Sequence, residues 1–216
     1  MVTKTRPNGA NPEITGLGGI TASEEQEASI RPYIVGITIE GTSDILFHRY
    51  SVDSVAEKSA AAKGSKSKKS DDVESYVYRD SDGNISIPGR YLHRAMIEAA
   101  RFHQDPRSPR KMARDLVQAA IAVGPVVSPL LVAGTHLPSA DWDYLDRQRV
   151  VVQRSAVTRE RPAFREGWRA NFEVSVLLPA YMTDAFLYRL AADAGSFVGL
   201  GDFRPPYGRY AVVSFD

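Results

Sequence analysis

Apolar positions along the chain fall into short runs, most with the two-residue period of a strand and two with the period of a helix. Tyr33-Ile34-Val35-Gly36-Ile37-Thr38-Ile39-Glu40 is dominated by β-branched residues with polar ones partly alternating, which predicts a first strand and the start of the folded domain. Glu74 to Arg79 and Ile85-Ser86-Ile87 read as two strands joined by Asp80-Ser81-Asp82-Gly83-Asn84, residues that tolerate positive φ, and so as a hairpin. Pro88-Gly89 stops that strand. Arg90 to Phe102 then places Leu92, Met96, Ile97 and Ala100 at helical spacing and leaves Arg90, Arg94 and Arg101 off the apolar face. Asp115 to Ala122 reads as a short helix or strand, and Ile121 to Val132 as buried apolar structure. Arg149 to Arg154 and Asn171 to Leu178 form a pair of strands, the second strictly alternating, and Ser155 to Ala170 between them has the length of a projecting hairpin. Thr183 can cap a helix that runs from Asp184 to Gly195, and Tyr210 to Phe215 is a terminal strand. The order strand, hairpin, helix, strand pair, helix, strand predicts an α+β fold: an RRM-like or ferredoxin-like antiparallel sheet with helices on one face and a projecting hairpin insertion.

Composition assigns the remaining segments. Residues 1–30 are rich in Gly, Pro, Asn, Thr, Ser and Glu and read as a flexible tail, while 31–216 read as one domain with insertions at about 51–72 and 103–148. A chain of 216 residues buries roughly 70% of its unfolded surface, enough for a core without staples. The absence of cysteine excludes disulfides, thiolate nucleophiles and Cys-bearing metal sites, and leaves four histidines with no ligand spacing. No metal or other cofactor is expected. The N-terminus lacks an apolar signal core, and the longest apolar stretch, Ile121 to Gly134, is interrupted by Pro125 and Pro129 and is short for a membrane span, so a cytoplasmic protein is expected.

Net charge is only +1, so a polyanion partner must be argued from local charge. Lys58 to Lys69 carries five lysines and no acid, among them Lys63, Lys66, Lys68 and Lys69; it reads either as a solvated loop or as a basic arm that orders on phosphates. Arg101 to Arg114 adds Arg107, Arg110 and Lys111. Between Arg147 and Arg169 there are seven arginines, including Arg154, Arg159, Arg161 and Arg165, against two acids, Glu160 and Glu166. They are surface decoration or a phosphate-binding set, the latter because guanidinium is always charged and forks onto phosphate oxygens.

The segment before the last strand interleaves Gly199 and Gly201 with Phe203, Arg204, Tyr207 and Arg209. It fails as a dinucleotide fingerprint, since the third glycine is missing and a helix precedes it. It reads either as a strained turn or as a nucleic-acid loop in which glycines allow close backbone approach and aromatics supply stacking faces. For acid–base chemistry His48, after the first strand, is a lone candidate. Asp141, Asp143 and Asp146 read as a solvated acidic turn.

Ile85-Ser86-Ile87-Pro88-Gly89-Arg90-Tyr91-Leu92-His93-Arg94-Ala95 resembles the strand-Pro-Gly-helix motif, commonly written IPGSSLKGA, of the RAMP superfamily in CRISPR-Cas effector complexes. Arg90 and Tyr91 stand where that motif has a Ser pair, and Arg94 where it has its second Gly. Gly195 to Tyr210 is similar to the superfamily's glycine-rich loop, and Arg149 to Leu178 to the strand, thumb and strand of the subunit that repeats along the guide RNA. The resemblance implies a palm that grips RNA backbone near Arg90 and Arg94, a thumb holding Arg154 to Arg165, and a glycine-rich loop from Gly199 to Arg209. In type III complexes of the superfamily an acid after the first strand cuts target RNA, which makes Asp44 and Asp53 candidates by position only.

The expected function is therefore RNA binding without catalysis, by a protein that oligomerises along a guide or single strand with other effector subunits as partners. Alternatives are a free-standing, phage-borne relative, a single-stranded DNA-binding or annealing protein, a metal-independent endoribonuclease with His48 as base, and an assembly module that meets acidic protein surfaces.

Overall fold

The computed structural model describes residues 31–49, 72–152 and 155–216, with side chains between 150 and 157 excepted. Strand β1 (Tyr33–Gly41) alternates as its sequence requires: Val35, Ile37 and Ile39 point inward and are at most 4% exposed, while Ile34 is open to solvent. It pairs antiparallel on one side with β10 (Tyr210–Phe215) and on the other with β9 (Arg169–Val176). Strand β5 (Ile121–Gly124) completes the sheet on the far side of β9, giving the order β10-β1-β9-β5 with every neighbour antiparallel. Helix α1 (Gly89–Ala99) and helix α3 (Asp184–Asp193) lie in the connections, and α2 (Arg114–Ala120) leads directly into β5. This is the βαββαβ ferredoxin-like arrangement.

One face of that sheet carries the core. Phe172, Val174 and Val176 of β9 meet Leu92, Ala95, Met96 and Ala99 of α1 and Leu187, Leu190 and Ala191 of α3. Thr183 caps α3 as its sequence suggests, its hydroxyl accepting from the Phe186 amide at 3.3 Å. The helix does not stop at Gly195. It continues through a π turn, Ala194–Val198, and ends at Gly199, where φ is +77°. Trp168, fully buried, donates its indole N–H to the Ser43 carbonyl at 2.9 Å and lies against the end of β1. A side chain at Gly41 would meet that indole within 2.0 Å, so the close approach of ring to backbone requires glycine there.

Two smaller sheets flank the core. One is the hairpin of β3 (Tyr78–Arg79) and β4 (Ile85–Pro88), joined on its far edge by β6 (Val127–Pro129). Its turn is organised by Asp80, whose carboxylate accepts from the amides of Asp82 and Asn84 at 3.0 and 2.8 Å. The other consists of β7 (Tyr144–Val152) and β8 (Ser155–Phe164), with the two-residue β2 (Ile45–Leu46) against the root of β8.

That second sheet corrects the sequence reading of the thumb. The described part of the strand expected at 149–154, residues 149–152, is not a core strand, and Ser155 to Ala170 is not a hairpin by itself. The hairpin comprises β7 and β8 together, nine paired positions from Tyr144↔Ala163 to Val152↔Ser155, or about 30 Å at roughly 3.4 Å per residue. The core strand expected at 149–154 is instead β5, within the segment read as the 103–148 insertion. The physical reason is plain: Val150-Val151-Val152 is an unmistakable strand signal, whereas β5 is four residues long and followed at once by Pro125. Periodicity announces strands and does not say which sheet receives them.

Candidate nucleic-acid interface

Three chain segments distant in sequence meet beside the β1 end of the sheet. The first is the loop after β1. Asp44 is held there by both carboxylate oxygens, accepting from the Tyr144 hydroxyl at 2.5 Å and from the Glu166 amide at 2.9 Å, and its backbone carbonyl accepts from Gly208 N at 2.7 Å. Burial, together with the bond to Asp44, pushes the Tyr144 phenol well above its ordinary pKa. Asp44 thus ties the root of the β7–β8 hairpin to the glycine-rich loop. Asp53, the other acid singled out by position, lies outside the described residues, as do Lys63, Lys66, Lys68, Lys69 and Arg154.

The second segment is the glycine-rich loop. Gly199, Gly201 and Gly208 all have φ between +73° and +77°. At Gly208 a Cβ would sit 1.8 Å from the Leu200 carbonyl oxygen, the residue whose amide donates to the Gly208 carbonyl at 2.8 Å. The loop therefore folds back on itself so tightly that only glycine fits. Phe203 also adopts positive φ, +55°, an uncommon conformation for a bulky residue, and its ring is 44% exposed. Arg209 anchors the loop's far end, its amide donating to the Ser43 hydroxyl and its Nε to the Pro205 carbonyl, each at 2.9 Å.

The third segment is the hairpin root. Arg161 of β8 is buried, with 7% of its side chain exposed, and its Nε donates to the Asp202 carboxylate at 2.6 Å while its guanidinium lies over the Phe203 ring at 5.6 Å. Gln148 of β7 donates to the Tyr207 hydroxyl at 2.9 Å. Arg161 is therefore committed to fixing the loop to the hairpin. Asp202 also lies 3.6 Å from Nδ1 of His48, whose ring stands edge-on to Tyr76 at 4.4 Å between centroids.

From His48 the strip continues to Arg49 and α1. The guanidiniums of Arg49 and Arg90 lie 5.0 and 5.2 Å from the Tyr78 ring centroid, Arg90 also donating to the Tyr78 hydroxyl at 2.5 Å. Tyr91 meets Tyr78 edge-on at 5.8 Å. Arg90, Arg94, Glu98 and Arg101 recur at helical spacing along the outer side of α1 and its last turn, so the arginine row runs toward the glycine-rich loop. It arrives there at Arg204, whose Nη1 is 3.9 Å from Glu98 and 3.4 Å from the Gly199 carbonyl.

The other arginines of the 147–169 cluster are less available than their number suggests. Arg147 pairs across the hairpin with Glu160 at 2.8 Å, Arg169 pairs across the sheet with Glu40 at 2.5 Å, and Arg165 lies over the Tyr144 ring at 5.3 Å. Arg159 is half-buried on the hairpin. Arg107 turns away to buried Asp105, 2.7 Å distant, and to the Tyr181 ring; its guanidinium holds the Asp105 carboxyl below the usual range. Arg110 and Lys111 are exposed on that same loop. Of the described cationic stretches, then, the α1 row and the glycine-rich loop converge, and the 104–111 loop follows its own course. Sequence reasoning missed Arg49, Tyr78, Tyr91, Phe102, Phe197 and Asp202. Only tertiary placement reveals the first five as neighbours of the strip, while an acid amid Gly199 to Arg209 was itself a sign that one arginine would be neutralised.

Among the described residues no cluster of three His, Asp or Glu side chains could hold a metal ion, and no helix is long and apolar enough to cross a membrane.

No protein-family model and no curated protein matches the chain. Among solved structures it is similar to a chain in the cryo-EM structure of the Type III-B Cmr-beta bound to cognate target RNA, with a TM-score of 0.51 and 9% identity over 90% of this chain. The likeness is one of fold. This chain spans 63% of the length of that one.

Proposed function

We propose that the protein binds single-stranded RNA along the strip from Tyr78 and Arg90, past Arg94 and Arg101, to the glycine-rich loop, and serves as an RNA-binding subunit of a CRISPR-Cas-type effector assembly. The observation that carries this reading is the junction at the glycine-rich loop: Arg161 joins the root of a long hairpin to it through Asp202, and the arginine row of α1 reaches it where Glu98 lies 3.9 Å from Arg204. Arginines spaced along α1 suit the repeating phosphates of a strand, and the open Phe203 ring offers a face on which a base stacks without regard to sequence. The shared fold with a chain of the RNA-bound Cmr-beta assembly agrees with this reading. The hairpin stands out from the body and suits contact with a neighbouring copy or subunit along the same strand.

The test is fluorescence anisotropy of labelled oligo(U) across a salt series. The affinity should fall with salt with a log–log slope of about −0.7 for each phosphate engaged. Arg90→Glu combined with Arg94→Glu should weaken binding and flatten that slope. A salt-independent affinity, or a double variant that binds as well as the native chain, overturns the reading.

A further inference from the structure

Beside the proposed strip is a cavity of about 450 Å³ between the end of α1, the π turn and the glycine-rich loop, lined by Glu98, Arg101, Phe102, Phe197, Phe203 and Arg204 among others. Its size is that of a small-ligand site. Its lining is unusual for a surface of this protein: three large aromatic side chains, Phe102, Phe197 and Phe203, are 62%, 52% and 44% exposed around one hollow. Phe102 and Phe197 stand at 78° to each other with centroids 5.7 Å apart, edge to face. Aromatic rings left this open at three neighbouring positions carry a hydration cost that their mutual edge contacts relieve only in part. Two guanidiniums rim the same hollow, and two carboxylates line it: Asp202, already paired with Arg161 at 2.6 Å, and Glu98, which lies 3.9 Å from Arg204.

We infer that this cavity is a nucleobase pocket that takes one base out of the bound strand and favours guanine. The occupant follows from the chemistry of the wall. A flat, weakly hydrated ring stacks on phenylalanine, and its phosphate requires cations, which Arg101 and Arg204 supply at the rim. Continuity fixes the source: Phe203 and Arg204 belong both to the cavity and to the glycine-rich loop of the strip. The preference comes from Glu98. A carboxylate offers two acceptor oxygens and no donor. Guanine presents two adjacent N–H groups, N1–H and the N2 amine, which match both oxygens. Adenine and cytosine pair only one amino group with an acceptor neighbour, and uracil has a single imino N–H flanked by carbonyl oxygens that repel the carboxylate. The inference rests on the RNA-binding reading for the source of the base, but the pocket itself can be tested without it.

Saturation-transfer NMR with 5′-GMP, AMP, CMP and UMP examines the pocket alone, and anisotropy of oligo(U) with and without one central guanosine examines it within a strand. The expected result is the strongest transfer to GMP, a tighter complex for the guanosine-bearing strand, and loss of both preferences in Glu98→Gln. Phe197→Ala should lower GMP binding by roughly tenfold, the order of one stacking contact. Both side chains are at the surface, so neither variant is expected to unfold the protein. Equal transfer to all four nucleotides, no transfer to any, or a guanine preference that survives both variants overturns the pocket. Failure to bind oligo(U) with GMP still bound overturns the strand reading and leaves the pocket standing.

Discussion

At the residue scale the decisive side chain is Arg161. It is nearly excluded from water, and its partner Asp202 is one-third exposed, so removing the acid strands a cation against Phe203. Asp202→Ala is expected to destabilise the fold by about 2–3 kcal/mol, less than a fully enclosed pair because water can partly compensate, as read from the urea midpoint at constant m-value. Arg161→Met, which replaces the buried charge with an apolar chain, should cost less. His93 of α1 supplies a pH dependence. Burial lowers its pKa from 6.5 despite a backbone hydrogen bond with Ile121 that acts the other way, and its Nε2 is buried without a partner. The unfolded chain therefore holds more protons than the folded one below about pH 6.5. Stability on this account is complete above that value and is lost as the pH falls through the folded pKa. His93→Gln should flatten the dependence of the thermal midpoint on pH between neutrality and mild acid; an unchanged profile would remove His93 as its source. None of this was legible in the chain. An arginine among seven gives no sign of being the buried one, and the histidine that sequence reasoning singled out for acid–base chemistry was His48.

At the element scale, local signals were read well where they are strong. The first and last strands, the Asp80 turn, the arginine-bearing helix and the Thr183 cap all stand where alternation, turn chemistry and capping place them. The hairpin was legible as strand-forming sequence and misassigned as to sheet, because pairing partners are chosen by tertiary packing: Phe164 and Ala163 find Ile45 and Leu46, a two-residue strand too short to register in any pattern. The glycine-rich loop was legible as unusual, and its glycines are now accounted for individually. Gly208→Ala combines an unfavourable left-handed backbone with a contact closer than any atom tolerates. It should cost about 2 kcal/mol or more and should also weaken oligo(U) binding, since the Leu200 and Asp44 bonds that shape the loop go with it. A variant as stable and as tight-binding as the native chain would show the loop to be adaptable rather than fixed.

At the scale of the whole molecule, the ferredoxin-like sheet was foreseeable from element order, and the convergence of charge was only half foreseeable. A nearly neutral chain can still present a cationic strip if its acids are consumed in pairs on other faces, as Glu40, Glu160 and Asp105 are. The expected signature is binding that weakens steeply with salt in spite of a net charge of +1, and a slope that drops by about 0.7 for each α1 arginine reversed. Reversing Arg107 instead should leave the slope untouched, because its guanidinium already answers Asp105; a drop equal to that of Arg90 would bring the 104–111 loop into the contact.

The hairpin's attachment has a mechanical consequence. It is pinned by Tyr144 to Asp44, by Arg161 to Asp202 and by Gln148 to Tyr207, three bonds on different residues of one short base. A lever with three pins cannot swivel without dragging its mount, so any push at the outer end is delivered to the backbone of the loop that bears Phe203. Amide hydrogens of the lever's base and of that loop should accordingly exchange with solvent together, as one cooperative unit, and cutting a single pin should loosen both at once.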